Sequence, residues 1–163
     1  MRLHHVVRND KRNFMNVKEE LYKKCEKFVH ERLETIQKTI SSNQKALQSE
    51  TKSSAGDKHE TGRAMLQLEM EKAGQQLQSI QKMQETLSKI KLDNSTKKAH
   101  LGSLVKTNQA SYFLSISAGK LEVENKIYFA VSISSPIGKA LLGKQENEEA
   151  LFNGKKFIIQ IID

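Results

Sequence analysis

The chain has 163 residues, 37% of them apolar, no tryptophan, one proline and a formal net charge of +8. Such a chain buries only a modest core, so an extended helical part beside a compact part suits it better than one large globule. No apolar run approaches the roughly 20 residues that span a bilayer, and the single cysteine, Cys25, rules out an internal disulfide.

Residues 1–14 show no periodicity and read as a disordered tail. They hold Arg2, Arg8, Lys11 and Arg12 against Asp10 alone. Met15 is followed at once by an amphipathic pattern, so the native start is expected at Met15. The tail has no apolar signal core. The triplet Asn94-Ser95-Thr96 is therefore not read as glycosylated, and a cytoplasmic protein is expected. The basic excess suits an acidic partner. The body of the chain mixes its signs, and no dense Lys/Arg run carries interleaved aromatics, so direct DNA binding is not expected.

From Val17 to about Lys52 the pattern is helical. Leu21, Cys25, Phe28 or Val29, Leu33, Ile36, Ile40 and Leu47 recur at steps of three and four, one stripe of a helix. Asn43 interrupts the stripe, as a register-setting polar residue does. A second stripe runs Leu66, Met70, Ala73, Leu77, Ile80, Gln84 and Leu87, a coiled-coil seam with one polar position. The turn-forming cluster 52–57 lies between them. A connection this short implies antiparallel neighbours. Residues 15–91 are thus predicted to form a hairpin with its tip near 53–60, and at about 1.5 Å per residue each arm of roughly 30 residues extends about 45 Å.

Residues 92–99 lose the pattern and read as a linker. Beyond them, Leu101 to Thr107, Ser111 to Ser117 and Ile127 to Ser134 are short and β-branched or aromatic. Ser135 suits an N-cap and Pro136 the first turn of a short helix that Gly143 can end. Asn153-Gly154 between two apolar runs marks a two-residue β-hairpin. The fold class is α+β: an N-terminal helical hairpin, then a small, mostly antiparallel β domain over residues 100–163 with one short helix.

Asp57 and Glu60 stand three apart at the apex of the predicted hairpin. Two carboxylates there can help hold a hard cation such as Mg²⁺, which prefers oxygen ligands, and a metal so held can activate water. The same spacing also suits helix capping, with the carboxylates favourable at an N-terminus. Both readings stand, and they are compatible.

The run from Gly56 to Glu60 resembles the tip of the Gre-factor family of bacterial RNA polymerase regulators, with Asp57 and Glu60 on that family's two acidic positions. The run Ser135-Pro136-Ile137-Gly138-Lys139-Ala140-Leu141-Leu142-Gly143-Lys144 is similar to the family's Ser-Pro-Leu-Gly-Arg-Ala-Leu-Leu-Gly-Lys segment. The resemblance covers nearly everything after Met15. It implies an FKBP-like β domain docked on RNA polymerase, with Pro136, Ile137, Lys139, Leu142 and Lys144 as candidate docking residues. It further implies a hairpin entering the secondary channel, and cleavage of backtracked RNA by the polymerase's own active site with a shared Mg²⁺. The factor would then be a monomeric accessory protein, touching nascent RNA only indirectly, with no cofactor of its own and no membrane partner. The chain departs from the family at Thr61-Gly62-Arg63-Ala64, where the family has Asn-Ala-Glu-Tyr. Arg63 can contact RNA phosphate, or it can weaken metal recruitment. A non-cleaving modulator of the same kind is therefore the alternative. A coiled-coil adaptor for another protein leaves the segment 135–144 without a reason.

Cys25 with His59 and His100 would suit a thiol enzyme, but Cys25 lies on the apolar stripe and reads as structural. Met65, Met70 and Met83, on or near the second seam, read as packing. Gly138-Lys139 and Gly143-Lys144 lack the spacing of a nucleotide loop.

Overall fold

The computed structural model describes the backbone of residues 2–52, 57–94 and 96–163, and the side chains of 13–50, 60–94 and 96–163. Among these the order is α1 (Arg2–Lys52), α2 (Asp57–Ser88), β1 (Leu104–Thr107), β2 (Ser111–Ser115), β3 (Gly119–Val123), β4 (Lys126–Ser132), α3 (Pro136–Leu141), β5 (Glu149–Phe152) and β6 (Lys155–Ile162). α1 takes in residues 2–14, expected as a tail. That stretch holds neither proline nor glycine, so nothing in its backbone ends a helix there.

The chain divides into two compact units, Phe28–Gln84 and Met1–Lys27 with Glu85–Asp163. This division falls within the helices and keeps 92–99 inside one unit. The reason is burial: Val17, Leu21, Cys25 and Leu87 are buried, and the Cys25 thiol meets the Ser115 hydroxyl of β2 at 3.7 Å.

In the unit 28–84 the helices run antiparallel. Phe28, Thr35, Ile36 and Thr39 line one recess with Gln76, Ser79 and Ile80. Further along, the Glu50 carboxylate lies beside Gly62. Rising numbers on α1 thus meet falling numbers on α2, as the four-residue connection 53–56 requires. Val29, Ile36, Ala73 and Ile80 are fully buried, as the stripes predict. Phe28 is only half-buried, with the Arg32 guanidinium 4.8 Å from its ring centre. Gln84, placed on the seam from sequence, is exposed, and Met83 is half-buried in its stead. Met65, expected to pack, is 62% exposed, because it lies one residue off the line through Leu66 and Met70.

The other unit is built on a six-stranded sheet of order β3-β4-β2-β1-β6-β5. Its pairs are antiparallel except β2 with β4. Alternation assigns two faces. On one, Val105, Leu114, Phe157 and Ile159 form a core with Ala99, Leu141 and Ala150. On the other, Leu104, Phe113 and Ser115 point towards the base of α1, with Phe113 and Ser115 fully buried. β2 is thereby covered on both sides, and its polar Ser115 bonds the Phe113 carbonyl at 3.3 Å. The expected hairpin is present: Asn153 and Gly154 have φ of 50° and 72°, as the mirror-image two-residue turn requires. β3 was not anticipated from sequence. It pairs with β4 through a like turn at Glu124-Asn125, φ 51° and 60°.

Lys18 is 1% exposed and lies 4.0 Å from the Asp163 carboxylate. Burial pulls its pKa below the ordinary 10.5, against the opposing attraction of Asp163 and Asp93. Burial also pushes the Cys25 thiol up from 9.0 to about 11, against a hydrogen bond with Ser115. The two shifts act oppositely on stability. The neutral thiol favours the folded chain fully below pH 9.0, and that contribution is lost as pH rises through about 11. The Lys18 penalty is present at neutral pH and is relieved as pH climbs towards 10.5. The difference in unfolding free energy between wild type and Cys25→Ala isolates the first. Denaturant melts should show wild type losing up to about 2–3 kcal/mol relative to Cys25→Ala between pH 9 and 11, and a pH-independent difference would show that the thiol is not buried.

Candidate functional site

Two groups of candidate residues fall in different units. Asp57 and Glu60 open α2, Asp57 being its first residue. The side chain of Asp57 lies outside the described residues, as does that of His59. Glu60 is described and exposed. Arg63 is exposed three residues further on, one helical turn along the same face. The start of α2 gives negative charge a favourable place, since its first amide N–H groups have no partner within the helix. Among the described residues no cluster of three or more metal-ligating side chains occurs. A hard cation takes six or more oxygen ligands, so two carboxylates here make at most part of a coordination shell.

The second group sits on α3. Ser135 caps that helix: its hydroxyl accepts from the Gly138 amide at 3.1 Å and donates to the Ser132 carbonyl at 2.6 Å. Pro136 takes the first turn, where a missing N–H costs nothing. Gly138 is buried, and a Cβ placed on it would come within 1.9 Å of the Ser132 carbonyl oxygen. Leu141 is 0% exposed in the sheet's core. Gly143 ends the helix with φ of 79°, a backbone that glycine adopts freely. Its amide bonds the Ala99 carbonyl at 2.7 Å, and the Ala99 amide bonds the Lys144 carbonyl at 2.8 Å. Most of the segment 135–144 is therefore committed to holding α3 against the sheet.

That leaves a short list free to meet a partner. Pro136 and Lys139 are exposed and Leu142 is 42% exposed. Ile137 packs partly against the core, and Lys144 is half-buried. Sequence reasoning passed over five exposed apolar side chains, Leu68, Ile127, Phe129, Leu151 and Ile158. Leu68 stands off the seam of α2, and a helical wheel exposes it. Leu151 and Ile158 alternate with the core residues Ala150 and Phe157, which the N-G hairpin register makes readable.

Among the described side chains, which do not include that of His59, Cys25 and His100 have separate partners. Cys25 meets Ser115, and its raised pKa is the opposite of an activated nucleophile. The His100 ring meets Ser103, Thr96 and the Lys98 carbonyl at 2.8–3.1 Å. Among the described residues no helix is long and apolar enough to cross a membrane.

No protein-family model matches the chain, and no curated protein matches it. Two solved structures align along most of its length. One is a structure of the transcription factor Gfh1, 22% identical, covering 86% of this chain and 92% of that one at a TM-score of 0.33. The other is the crystal structure of GreA factor homolog 1 (Gfh1) protein of Thermus thermophilus, 20% identical, covering 87% and 94% at a TM-score of 0.33. At that level of superposition the fold rests on the strand order, register and burial given above.

The close approach at Gly138 makes a sharp test. Gly138→Ala should destabilise the β unit by about 3 kcal/mol, the upper end for an overpacked site, and Ser135→Ala by about 1 kcal/mol through the lost cap. Chemical denaturation followed by tyrosine fluorescence measures both. A neutral Gly138→Ala would mean that α3 does not lie so close to Ser132.

Proposed function

We propose that this protein is a Gre-type accessory factor of bacterial RNA polymerase, acting in the cytoplasm where transcription takes place. The observation that carries the reading is the sequence of parts. An antiparallel pair of helices, α1 ending at Lys52 and α2 beginning at Asp57, has Asp57 and Glu60 in the first turn of its second member. It is followed by a β unit with Ser135-Pro136-Ile137-Gly138-Lys139-Ala140-Leu141-Leu142-Gly143-Lys144 in the family's place.

In this reading the β unit docks on the polymerase through Pro136, Lys139 and Leu142, with Ile137 and Lys144 behind them. The pair of helices enters the secondary channel. Asp57 and Glu60 add oxygen ligands to a Mg²⁺ that the polymerase holds, and this metal supplies the activation of water for cleaving backtracked RNA. Being short of ligands, the chain does not work as a nuclease alone. The protein is thus a partner of an enzyme rather than an enzyme, and it reaches RNA only through the polymerase.

Arg63 favours a second version of the same role. It is exposed one helical turn beyond Glu60, and a cation there opposes a further positive ion at that end of the arm. A factor so built docks and occupies the channel but stimulates cleavage weakly or not at all, and so modulates pausing or initiation.

Backtracked elongation complexes made with purified polymerase separate the two. If the factor promotes cleavage, wild type releases short 3′ RNA fragments and Asp57→Ala/Glu60→Ala abolishes the release while still binding. If it modulates, wild type releases none, slows elongation, and Arg63→Ala gains cleavage. Lys139→Glu/Leu142→Asp should weaken binding about tenfold or more, in line with the loss of a central contact. A factor that neither binds polymerase nor competes with a secondary-channel protein would overturn both versions and leave the adaptor reading.

A further inference from the structure

Burial within the unit 28–84 is uneven. Its fully buried side chains, Val29, Ile36, Ala73 and Ile80, all lie within 28–36 and 73–80. Among the described residues 37–50 and 60–72, none is fully buried. Ile40, Leu47, Leu66 and Met70 are half-covered, and Met65 and Leu68 are exposed. Hydrophobic stabilisation scales with the apolar area removed from water, so the helix pair is held more weakly beyond Ile40 than before it.

Two further observations concern the same stretch. The side-chain amide nitrogen of Asn43 is buried and has no hydrogen-bond partner among the described residues. A buried donor left unpaired costs about 1–3 kcal/mol. Gly62 sits inside α2, where glycine is about 1 kcal/mol worse than alanine. Among the described residues no contact explains its choice, since an added Cβ would meet the Glu50 carboxylate at an ordinary 3.7 Å.

We infer that residues 37–50 and 60–72 form a separately opening unit, which unzips while the stretch 28–36 with 73–80 stays paired, and that Asn43 sets how often it does so. Opening costs little there because little apolar surface is exposed by it, and the orphan amide regains water when it happens. The inference holds whatever the arm is delivered to.

Hydrogen exchange of the free, full-length protein, read by mass spectrometry with peptide resolution, tests it. In wild type the amides of 41–50 and 61–70 should exchange at least about tenfold faster than those of 29–36 and 74–80, with a weaker dependence on urea, the mark of a local opening. Asn43→Leu should slow the first set about tenfold and leave the second unchanged, the amide penalty having been removed. Gly62→Ala should slow the first set by roughly fivefold through helix propensity alone, and it keeps the test open should Asn43→Leu repack the pair. Equal protection along both helices, or variants that slow every amide alike, would show one cooperative unit and overturn the inference.

Discussion

The contact on which most of this structure depends is the one between the base of α1 and the sheet. The last three residues of β2 have no solvent on either side: Phe113, Leu114 and Ser115 are all 0% exposed. A six-stranded sheet with one short helix cannot cover both its faces. Leu114 is met by Leu141 of α3 and its neighbours, while Phe113 and Ser115 need a second layer. That layer is Val17, Leu21 and Cys25, spaced four apart on one stripe of α1. The helix therefore does not merely precede the β unit in the chain but completes its core, and the compact unit takes in residues 1–27 for that reason.

The same contact explains a costly residue. Lys18 follows Val17 on the covered part of α1, and the layer that buries Val17 removes the ammonium from water too. A lone buried charge is expensive. Asp163 and Asp93 lessen the penalty without removing it, since burial remains the larger influence on the Lys18 pKa. Such a pair adds little net stability compared with an apolar substitute. It does favour one arrangement: a seating that brings Asp163, just beyond β6, and Asp93 near Lys18 gives the lysine its counter-charges.

The parts of this fold that were readable in sequence are those whose signal is local. The stripes through Leu21, Cys25, Ile36, Ala73 and Ile80 repeat at helical spacing, and those residues are buried. The Asn153-Gly154 pair carries its turn in its own dihedrals. β3 was hidden because its turn, Glu124-Asn125, contains no glycine, although both residues adopt the positive φ that glycine usually supplies. The seating of α1 on the sheet was hidden for a different reason. A stripe shows which side chains seek cover, not what covers them, and Leu21 and Cys25 look the same whether they face α2 or β2. Of the candidate site, the position of Asp57 and Glu60 at the start of α2 followed from the turn cluster before them. Which of the segment 135–144 faces solvent did not, because it depends on how α3 lies against Ser132.

That last dependence bears on what the strongest motif in the chain means. A ten-residue match reads at first as a preserved binding surface. In the structure Ser135 caps a helix, Gly138 admits the Ser132 carbonyl, Leu141 fills the core, and Gly143 turns the chain back to Ala99. Each of these identities is required by packing or backbone geometry alone, so each would persist in a protein that kept the fold and lost the partner. Only Pro136, Lys139 and Leu142 are left largely to solvent. Pro136 has a local reason to be present at a first helical turn. Lys139 on α3 and Leu142 at its C-cap have none that the fold supplies, and in the proposed reading they would give a docking surface apolar area to bury and a charge to orient it. The segment as a whole is thus accounted for by architecture, except at these two exposed residues.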